Sequence, residues 1–594
     1  MNVIKRNGSI EPFDFQKIKN AVNKAFKAVH NSDAPDELIS YLESVASTFA
    51  EDKSVEELQN FVENSLMEFK WFDVAREYIK YRNKHKTVRD FAQKKIDFIH
   101  QFEKTNTTAD TTIDDNANVS NHNIAVLNSE IHKEDNREVN LKILEDKLRE
   151  LYPDFDYKQL RKDLDSIAYL HDSSSQIGMP YCVAITMYPF LLNGIKDLGG
   201  LSAKPKNLDS FCGMFVNMVF AIASQFKGAV ACPGVLLSMD YFCRKEWGDD
   251  YYARANTVIS SPDCNRVKTI ESQIHQYFQQ ICYSLMQPSA ARGSQAVFWN
   301  LSIFDKPFFD TMYSDFYFPD GTKAQWESTN WLQKNFLHWL NQERLKCILT
   351  FPVVSVCLIY QNGKFVDEDL YHYACEEYEQ GNSFFTYISD SADSLSSCCR
   401  LSSKIEKPQF NFTNGQLSEM TGSKNVITLN INRIIQDWCK SIGGVPTVGN
   451  QYDSLKFYLI EILDRIYKYQ FAYDALLKDL YNKGLLSVYK AGFIDLKKQY
   501  LTIGINGLNQ GAEYLGMKCN KNQEYQDFCN LIFSTIKEQN QLHKTKDIML
   551  NTELVPKRSG DFKPLLIDSK LLNLGQRGAS REIVQRERLN KVAA

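Results

Sequence analysis

Two adjacent thiols are the most reactive-looking residues in the chain. Cys398 and Cys399 follow Asp390-Ser391-Ala392-Asp393-Ser394-Leu395-Ser396-Ser397 and precede Arg400-Leu401. Free cysteine usually behaves as a small buried apolar side chain. A polar, serine-rich stretch is poor core material, so this pair is expected on a loop where a thiol can react; two packed loop thiols are the plainer alternative. Cys182 is a different case. It lies in the apolar run Tyr181-Cys182-Val183-Ala184-Ile185-Thr186, where a packed core thiol is as good a reading as a reactive one. Farther on, Thr421-Gly422-Ser423 could hold phosphate oxygens through backbone N–H groups and hydroxyls. Such a triplet is more often simply a turn.

Bulk properties narrow the setting. The 14 cysteines are spread over 594 residues, and Met1 to Arg6 lacks the apolar core of a secretion signal. The chain therefore reads as cytoplasmic, with most thiols free. A net charge of −4 gives no basic field to recruit nucleic acid or an anionic membrane. No run approaches the ~20 apolar residues of a membrane span. At 68.5 kDa the chain should fold as two or more domains.

The elements that must position these residues fall into four stretches. Residues 1–95 read as a hairpin followed by helices. Asn7-Gly8 is a tight-turn signal, and Asp14 can cap a helix with Phe15, Ile18, Ala21, Val22, Ala25 and Phe26 on one face. A second helix is expected near residues 35–49. Ser54 with Glu57 makes a capping box for a third, with Leu58, Phe61, Val62 and Leu66 on its face. A fourth runs through Val74, Tyr78 and Tyr81. Residues 96–137 are a linker, polar over 104–123, and a helical entry segment. In residues 138–556 helical segments alternate with short apolar runs at 181–186, 348–354, 384–388 and 426–431, the mark of an α/β core. Residues 557–594 form a charged tail with little periodicity.

The segment Val3-Ile4-Lys5-Arg6-Asn7-Gly8, with Phe13-Asp14, Lys17-Ile18 and Tyr81-Arg82, resembles the ATP-cone, the effector-binding domain of ribonucleotide reductases. The resemblance implies an ATP or dATP site at Val3, Ile4, Lys5, Arg6, Glu11, Asp14 and Lys17. A hairpin edge offers N–H groups there, and the cations offer charge-assisted contacts to a triphosphate. Asn7 stands where the family usually has Asp. On spacing alone, a charged hairpin with solvated cations explains the same residues.

The rest of the chain resembles the anaerobic, class III ribonucleotide reductases. The resemblance is carried by Asn116-Ala117-Asn118-Val119, by Met179-Pro180-Tyr181-Cys182-Val183, and most specifically by the loop ending Cys398-Cys399-Arg400-Leu401. It continues in residues 421–433, in Thr502-Ile503-Gly504-Ile505-Asn506-Gly507, and in Asn551-Thr552-Glu553-Leu554-Val555-Pro556. It implies a ten-stranded α/β barrel with a central finger loop, behind a small mainly helical cone. The implied reaction is reduction of ribonucleoside triphosphates by thiyl-radical chemistry. Cys399, directly before arginine, matches the thiyl position, with Cys398 as the neighbouring candidate. Cys182 matches the cysteine that supplies a second hydrogen atom near the ribose 2′ position. Asn430 matches a substrate-contacting asparagine, able to donate and accept, and Asn432 departs from the proline common there. Formate as reductant, a homodimer and a separate iron–sulfur, S-adenosylmethionine-dependent activase are implied as well.

One family feature has no counterpart in the sequence. Complete members carry a four-cysteine zinc site and a radical glycine in an Arg-Val-x-Gly-Tyr-like motif. Cys519 and Cys529 are too few and too far apart for such a site, and Gly578 lies in Gln576-Arg577-Gly578-Ala579, which does not match. The expectation is no metal site in this chain and no turnover by this polypeptide alone, with the glycyl radical either supplied in trans by a separate chain or its domain lost by truncation or read-through. Two rivals remain: a glycyl-radical acyltransferase of the pyruvate formate-lyase kind, against which the cone argues, and a catalytically inactive nucleotide-sensing relative.

Overall fold

The computed structural model describes residues 2–6, 8–104, 123–175, 178–259, 268–289, 296–347, 349–381, 384–392, 410–411, 415–416, 419–446, 452–520 and 522–554. Cys398, Cys399, Asn7, residues 116–119 and the tail 557–594 lie outside them. The chain divides into two compact units, Met1–Thr105 and Asn106–Ala594.

The first unit is a hairpin on four helices. Strand β1 (Asn2–Ile4) pairs antiparallel with β2 (Ile10–Pro12), and β3 (Lys53–Ser54) adds to β1 in parallel. Gly8 adopts φ +81° in the connecting turn, a conformation that costs glycine little. Asp14 accepts from the N–H of Gln16 at 3.0 Å and starts α1 (Phe15–His30). Helix α2 is Asp36–Ser47. The capping box of Ser54 and Glu57 opens α3 (Val55–Glu68), and α4 is Phe72–Lys104. The expected boundary at residue 95 falls inside this last helix. Val22, Phe26, Leu38, Leu42, Val62, Leu66 and Val74 form the core. Tyr81 is 58% exposed, and Tyr78 is the last residue of α4 in this core.

The second unit is built on a ten-stranded sheet. Its strands are β4 (Ala168–Leu170), β5 (Cys182–Ala184), β6 (Val230–Ala231), β9 (Trp299–Phe304), β10 (Val353–Gln361), β11 (Lys364–Phe365), β12 (Phe385–Ser389), β15 (Thr421–Asn430), β16 (Tyr500–Asn506) and β17 (Met549–Leu554). Two small hairpins stand apart, β7 (Val258–Ile259) with β8 (Lys268–Thr269) and β13 (Phe410–Asn411) with β14 (Gly415–Gln416). Strands β5, β6, β9, β10 and β12 run parallel in that order. So do β15, β16 and β17. The two parallel sets meet antiparallel where β5 and β4 both lie along β15. Among the described residues the pairings trace a path from β11 to β17. This is the α/β architecture of ten strands expected from the sequence, and its two parallel sets run antiparallel to each other.

Parallel strands connected through helices are buried on both faces, and the two faces here differ in chemistry. Paired residues share a face, and the face alternates along each strand. Val183, Val230 and Trp299 are paired in one row, and Trp299 meets Phe215 of the helix Leu208–Ala223 with ring centroids 5.9 Å apart. That is the outer, apolar face. The inner face carries Cys182, Asn300, Ser302, Ser355, Thr421 and Ser423, all buried. A register shift between Ser423 and Asn425 acts as a bulge. It turns both Lys424 and Asn425 outward to the helix Tyr452–Asn482, where Lys424 pairs with Asp474 at 2.5 Å and Asn425 donates to Gln470 at 3.0 Å.

Candidate active site

The seam between the two halves assembles the inner-face polar groups. Cys182 is fully buried and opposite Ser423 in the register. The backbone N–H of Ser423 donates to the Cys182 sulfur at 3.3 Å. The carbonyl of Cys182 accepts from Gln499 Nε2 at 2.8 Å, and Gln499 accepts from the Tyr489 hydroxyl at 2.6 Å. Both strand ends at the thiol are thus held by hydrogen bonds rather than by packing alone.

Ser423, Thr502 and Asn551 form a chain across β15, β16 and β17. Ser423 Oγ lies 2.7 Å from Thr502 Oγ1, which donates to Asn551 Oδ1 at 2.7 Å. A threonine hydroxyl has one proton. With that proton on Asn551, Ser423 is the donor to Thr502, and its oxygen keeps acceptor capacity toward the interior.

The three residues expected as a phosphate turn are not a turn. Thr421, Gly422 and Ser423 start β15 and pair with Ala184, Val183 and Cys182. Their backbone is taken up by the seam, so side chains, not backbone N–H groups, face the interior. Gly422 has φ +143°, and a β-carbon there would lie 2.4 Å from the Cys182 carbonyl oxygen. Thr421 Oγ1 is buried without a hydrogen-bond partner.

Asn430 is not gathered with this group. It lies seven residues beyond Ser423 on the same strand, roughly 23 Å at 3.3 Å per residue. Its Oδ1 accepts from the Arg433 N–H at 3.1 Å, capping the helix Ile431–Ser441, and its Nδ2 donates to Ser166 O at 3.4 Å. The side chain expected on a sugar is engaged in ending the strand. Nearby, His171 Nε2 lies 2.7 Å from Thr428 Oγ1, a buried structural contact.

Sequence reasoning missed Glu419, two residues before Thr421. It is buried, and Tyr313 donates its hydroxyl to it at 2.7 Å. Burial pushes the Glu419 carboxyl up to about 7 from its ordinary 4.5, against hydrogen bonds from Tyr313, Thr186 and the Met187 backbone that pull it down. It also missed Asn300, Ser302 and Ser355. The signal was present: isolated polar residues at every second place within Trp299-Asn300-Leu301-Ser302-Ile303-Phe304.

In the cone unit the expected cations already have partners. Glu11 takes Lys5 at 3.1 Å and Lys17 at 3.7 Å. The Lys5 hydrogen bond, first among the causes, holds the Glu11 carboxyl below its ordinary range. Arg6 donates to Glu56 at 2.6 Å and to Gln59 at 2.9 Å. Arg82 also binds Glu56, and reaches Glu63 at 2.8 Å. Val3 is buried and Ile4 exposed. Asp14 faces its own helix as a cap. Glu56, in the first turn of α3, completes the cluster and could have been suspected from its place beside the capping Glu57.

Among the described residues, no group of three or more His, Cys, Asp or Glu is placed to hold a metal ion. None of their helices is long and apolar enough to cross a membrane.

The site so defined is a buried thiol at the seam of a polar-lined α/β sheet made of two parallel halves. Comparison with known proteins makes this specific. Residues 115–572 match the family model described as anaerobic ribonucleoside-triphosphate reductase, and residues 1–87 match the ATP cone domain. The chain belongs to the anaerobic ribonucleoside-triphosphate reductase family, a family of oxidoreductases, and carries an ATP-cone. Its structure is similar to that of the anaerobic ribonucleotide reductase from Thermotoga maritima with citrate in the active site. That match has a TM-score of 0.65 and 26% identity, and covers 81% of each chain. The same enzyme in complex with dATP and CTP gives 0.64 and 26%, over 76% of this chain and 73% of that one. A vitamin B12-dependent ribonucleoside-diphosphate reductase of Thermoplasma acidophilum is 38% identical over 96 residues, 15% of this chain and only 12% of that relative.

Proposed function

We propose that this chain reduces ribonucleoside triphosphates to deoxyribonucleoside triphosphates in the absence of oxygen. The observation that carries the proposal is the buried thiol of Cys182 facing a polar interior at the seam of a sheet of this family. Cys399 holds the thiyl radical that takes the ribose 3′ hydrogen, with Cys398 its neighbour. Cys182 delivers a hydrogen atom toward the 2′ position, from which the hydroxyl departs as water. Formate supplies the two electrons and leaves as carbon dioxide. Thr421 and Ser423 meet substrate through their side chains, Gly422 allows the seam to close, and Asn430 fixes the exit of the strand.

The cone is the effector site of this reading. Lys5, Arg6 and Lys17 exchange carboxylate partners for the phosphates of ATP or dATP, and Val3, Ile4, Glu11 and Asp14 shape the pocket. Effector binding changes activity only through its different affinity for two states of the protein. The enzyme works as a cytoplasmic homodimer, activated by an iron–sulfur, S-adenosylmethionine-dependent partner that generates a glycyl radical.

Anaerobic reconstitution tests this. The purified protein, supplied with the activase and a source of the glycyl radical, should reduce nucleoside triphosphates with formate. Cys399→Ala should abolish that activity. Undiminished reduction by Cys399→Ala would refute the thiyl assignment.

A further inference from the structure

The inner face of the sheet contains a row of four residues, only one of which, Thr421, meets substrate in the reaction as described. Thr421 on β15 is paired with Ala184 on β5. Ala184 is paired with Ala231 on β6, and Ala231 with Asn300 on β9. The row therefore crosses four adjacent strands at one level, about 14 Å along the sheet at ~4.8 Å per strand. All four residues are buried.

Both ends of the row carry an unpartnered polar atom. Thr421 Oγ1 has no hydrogen-bond partner, and neither does Asn300 Oδ1. The amide nitrogen of Asn300 is fully engaged, donating to Val353 O at 2.9 Å and to Ser355 Oγ at 3.1 Å. That fixes the flip of the amide and leaves the carbonyl oxygen aimed away from those partners. A buried polar atom without a partner costs about 1–3 kcal/mol, and native proteins keep few of them. Two at opposite ends of one row, on the face that also carries Cys182, mark a place where a ligand completes the hydrogen bonding. Between them Ala184 and Ala231 carry only methyl groups, and both are fully buried.

The donor and acceptor types select the part of the ligand. Asn300 Oδ1 can only accept. Phosphate oxygens at neutral pH also accept, so this end of the row cannot hold them. It fits an O–H or N–H donor. Cys182 lies two residues before Ala184 on the same strand face, about 6.6 Å away along the strand. A sugar presented to the thiol therefore brings its own hydroxyls or its base over the alanines.

We propose that Thr421 and Asn300 form a nucleoside-reading row. Thr421 bonds a sugar or base heteroatom at the seam. Asn300 accepts from a donor on the same nucleoside, and the triphosphate lies off the row. This rests on the reductase reading above, and it replaces the phosphate role expected for Thr421.

The test compares CTP with inorganic tripolyphosphate on the full chain, by calorimetry. CTP reports on the nucleoside and tripolyphosphate only on the phosphates. Thr421→Val keeps the shape and removes the hydroxyl. Because that hydroxyl has no partner in the protein, the variant should melt at the same temperature as wild type or above it, yet bind CTP about tenfold more weakly. Asn300→Ala should weaken CTP by a similar factor. Tripolyphosphate affinity should stay unchanged in both. Unaltered CTP affinity in Thr421→Val, or equal loss of CTP and tripolyphosphate, overturns the row. Row-dependent CTP binding without any turnover in the reconstituted assay sinks the reductase reading and leaves the row standing; turnover with CTP binding indifferent to both substitutions does the reverse.

Discussion

A β-carbon on Gly422 would lie 2.4 Å from the carbonyl oxygen of Cys182. The two half-sheets approach so closely at this point that only glycine fits. The same approach lets the Ser423 N–H reach the Cys182 sulfur at 3.3 Å. Backbone contact at Gly422 and thiol placement are one geometric event.

Gly422→Ala should therefore damage both fold and site. The new methyl meets backbone, which cannot swing aside, and φ +143° is a region that L side chains avoid. We expect a loss of at least about 1–3 kcal/mol in urea unfolding. A variant as stable as wild type would show that the seam can open without cost.

Cys182→Ser separates chemistry from architecture at the same place. A hydroxyl can accept from the Ser423 N–H as the sulfur does, so folding and CTP affinity should be nearly unchanged. The O–H bond is far stronger than the S–H bond, so hydrogen-atom transfer should stop. Deoxyribonucleotide formation measured under anaerobic reconstitution should disappear. Retained turnover would make Cys182 a packing residue.

Glu419 predicts a pH effect with a definite sign. Its carboxyl has a folded value of about 7 against an ordinary 4.5, raised by burial. The folded protein holds this proton more tightly than the unfolded chain does. The associated stability is fully present below pH 4.5 and is lost as pH rises through 7. The loss is on the order of 3 kcal/mol at 1.36 kcal/mol per pH unit. Glu419→Gln cannot titrate, so its unfolding free energy should gain on wild type between pH 4.5 and pH 8. Parallel stability profiles for the two proteins would contradict the buried-acid assignment.

The cone makes a separate prediction. Arg6 binds Glu56 and Gln59 at the edge of the hairpin, in contacts that are partly solvent-exposed and contribute little to stability. Arg6→Ala and Lys17→Ala should leave thermal unfolding nearly unchanged. Each should weaken ATP binding by about tenfold, the scale of one charge-assisted contact. Calorimetric titration of ATP would measure it, and wild-type affinity in both variants would remove these cations from the effector site.

Local signals in the sequence were read correctly where the determinant is itself local. Asp14 caps α1, Ser54 and Glu57 form their capping box, and Val22, Phe26, Val62 and Leu66 fall inside. A cap needs partners two or three residues away, and a helix face repeats every 3.6 residues. The buried run around Cys182 was likewise visible as a strand. Tyr81 went the other way: it continues the helical spacing of Val74 and Tyr78 but lies exposed.

What the tertiary structure decided is everything that depends on a partner strand. Thr421-Gly422-Ser423 can be a turn or a strand start; pairing with Cys182, Val183 and Ala184, more than 230 residues earlier, makes it a strand. Asn430 can face a sugar or cap a helix, and the position of Arg433 relative to the strand end makes it a cap. Asn300 looks like any polar residue in a strand until Ala231, Ala184 and Thr421 line up beside it. Family resemblance and local periodicity are written along the chain. Register across a sheet is set by which strands meet, and the burial that leaves an oxygen unpaired or raises a carboxyl exists only after they do.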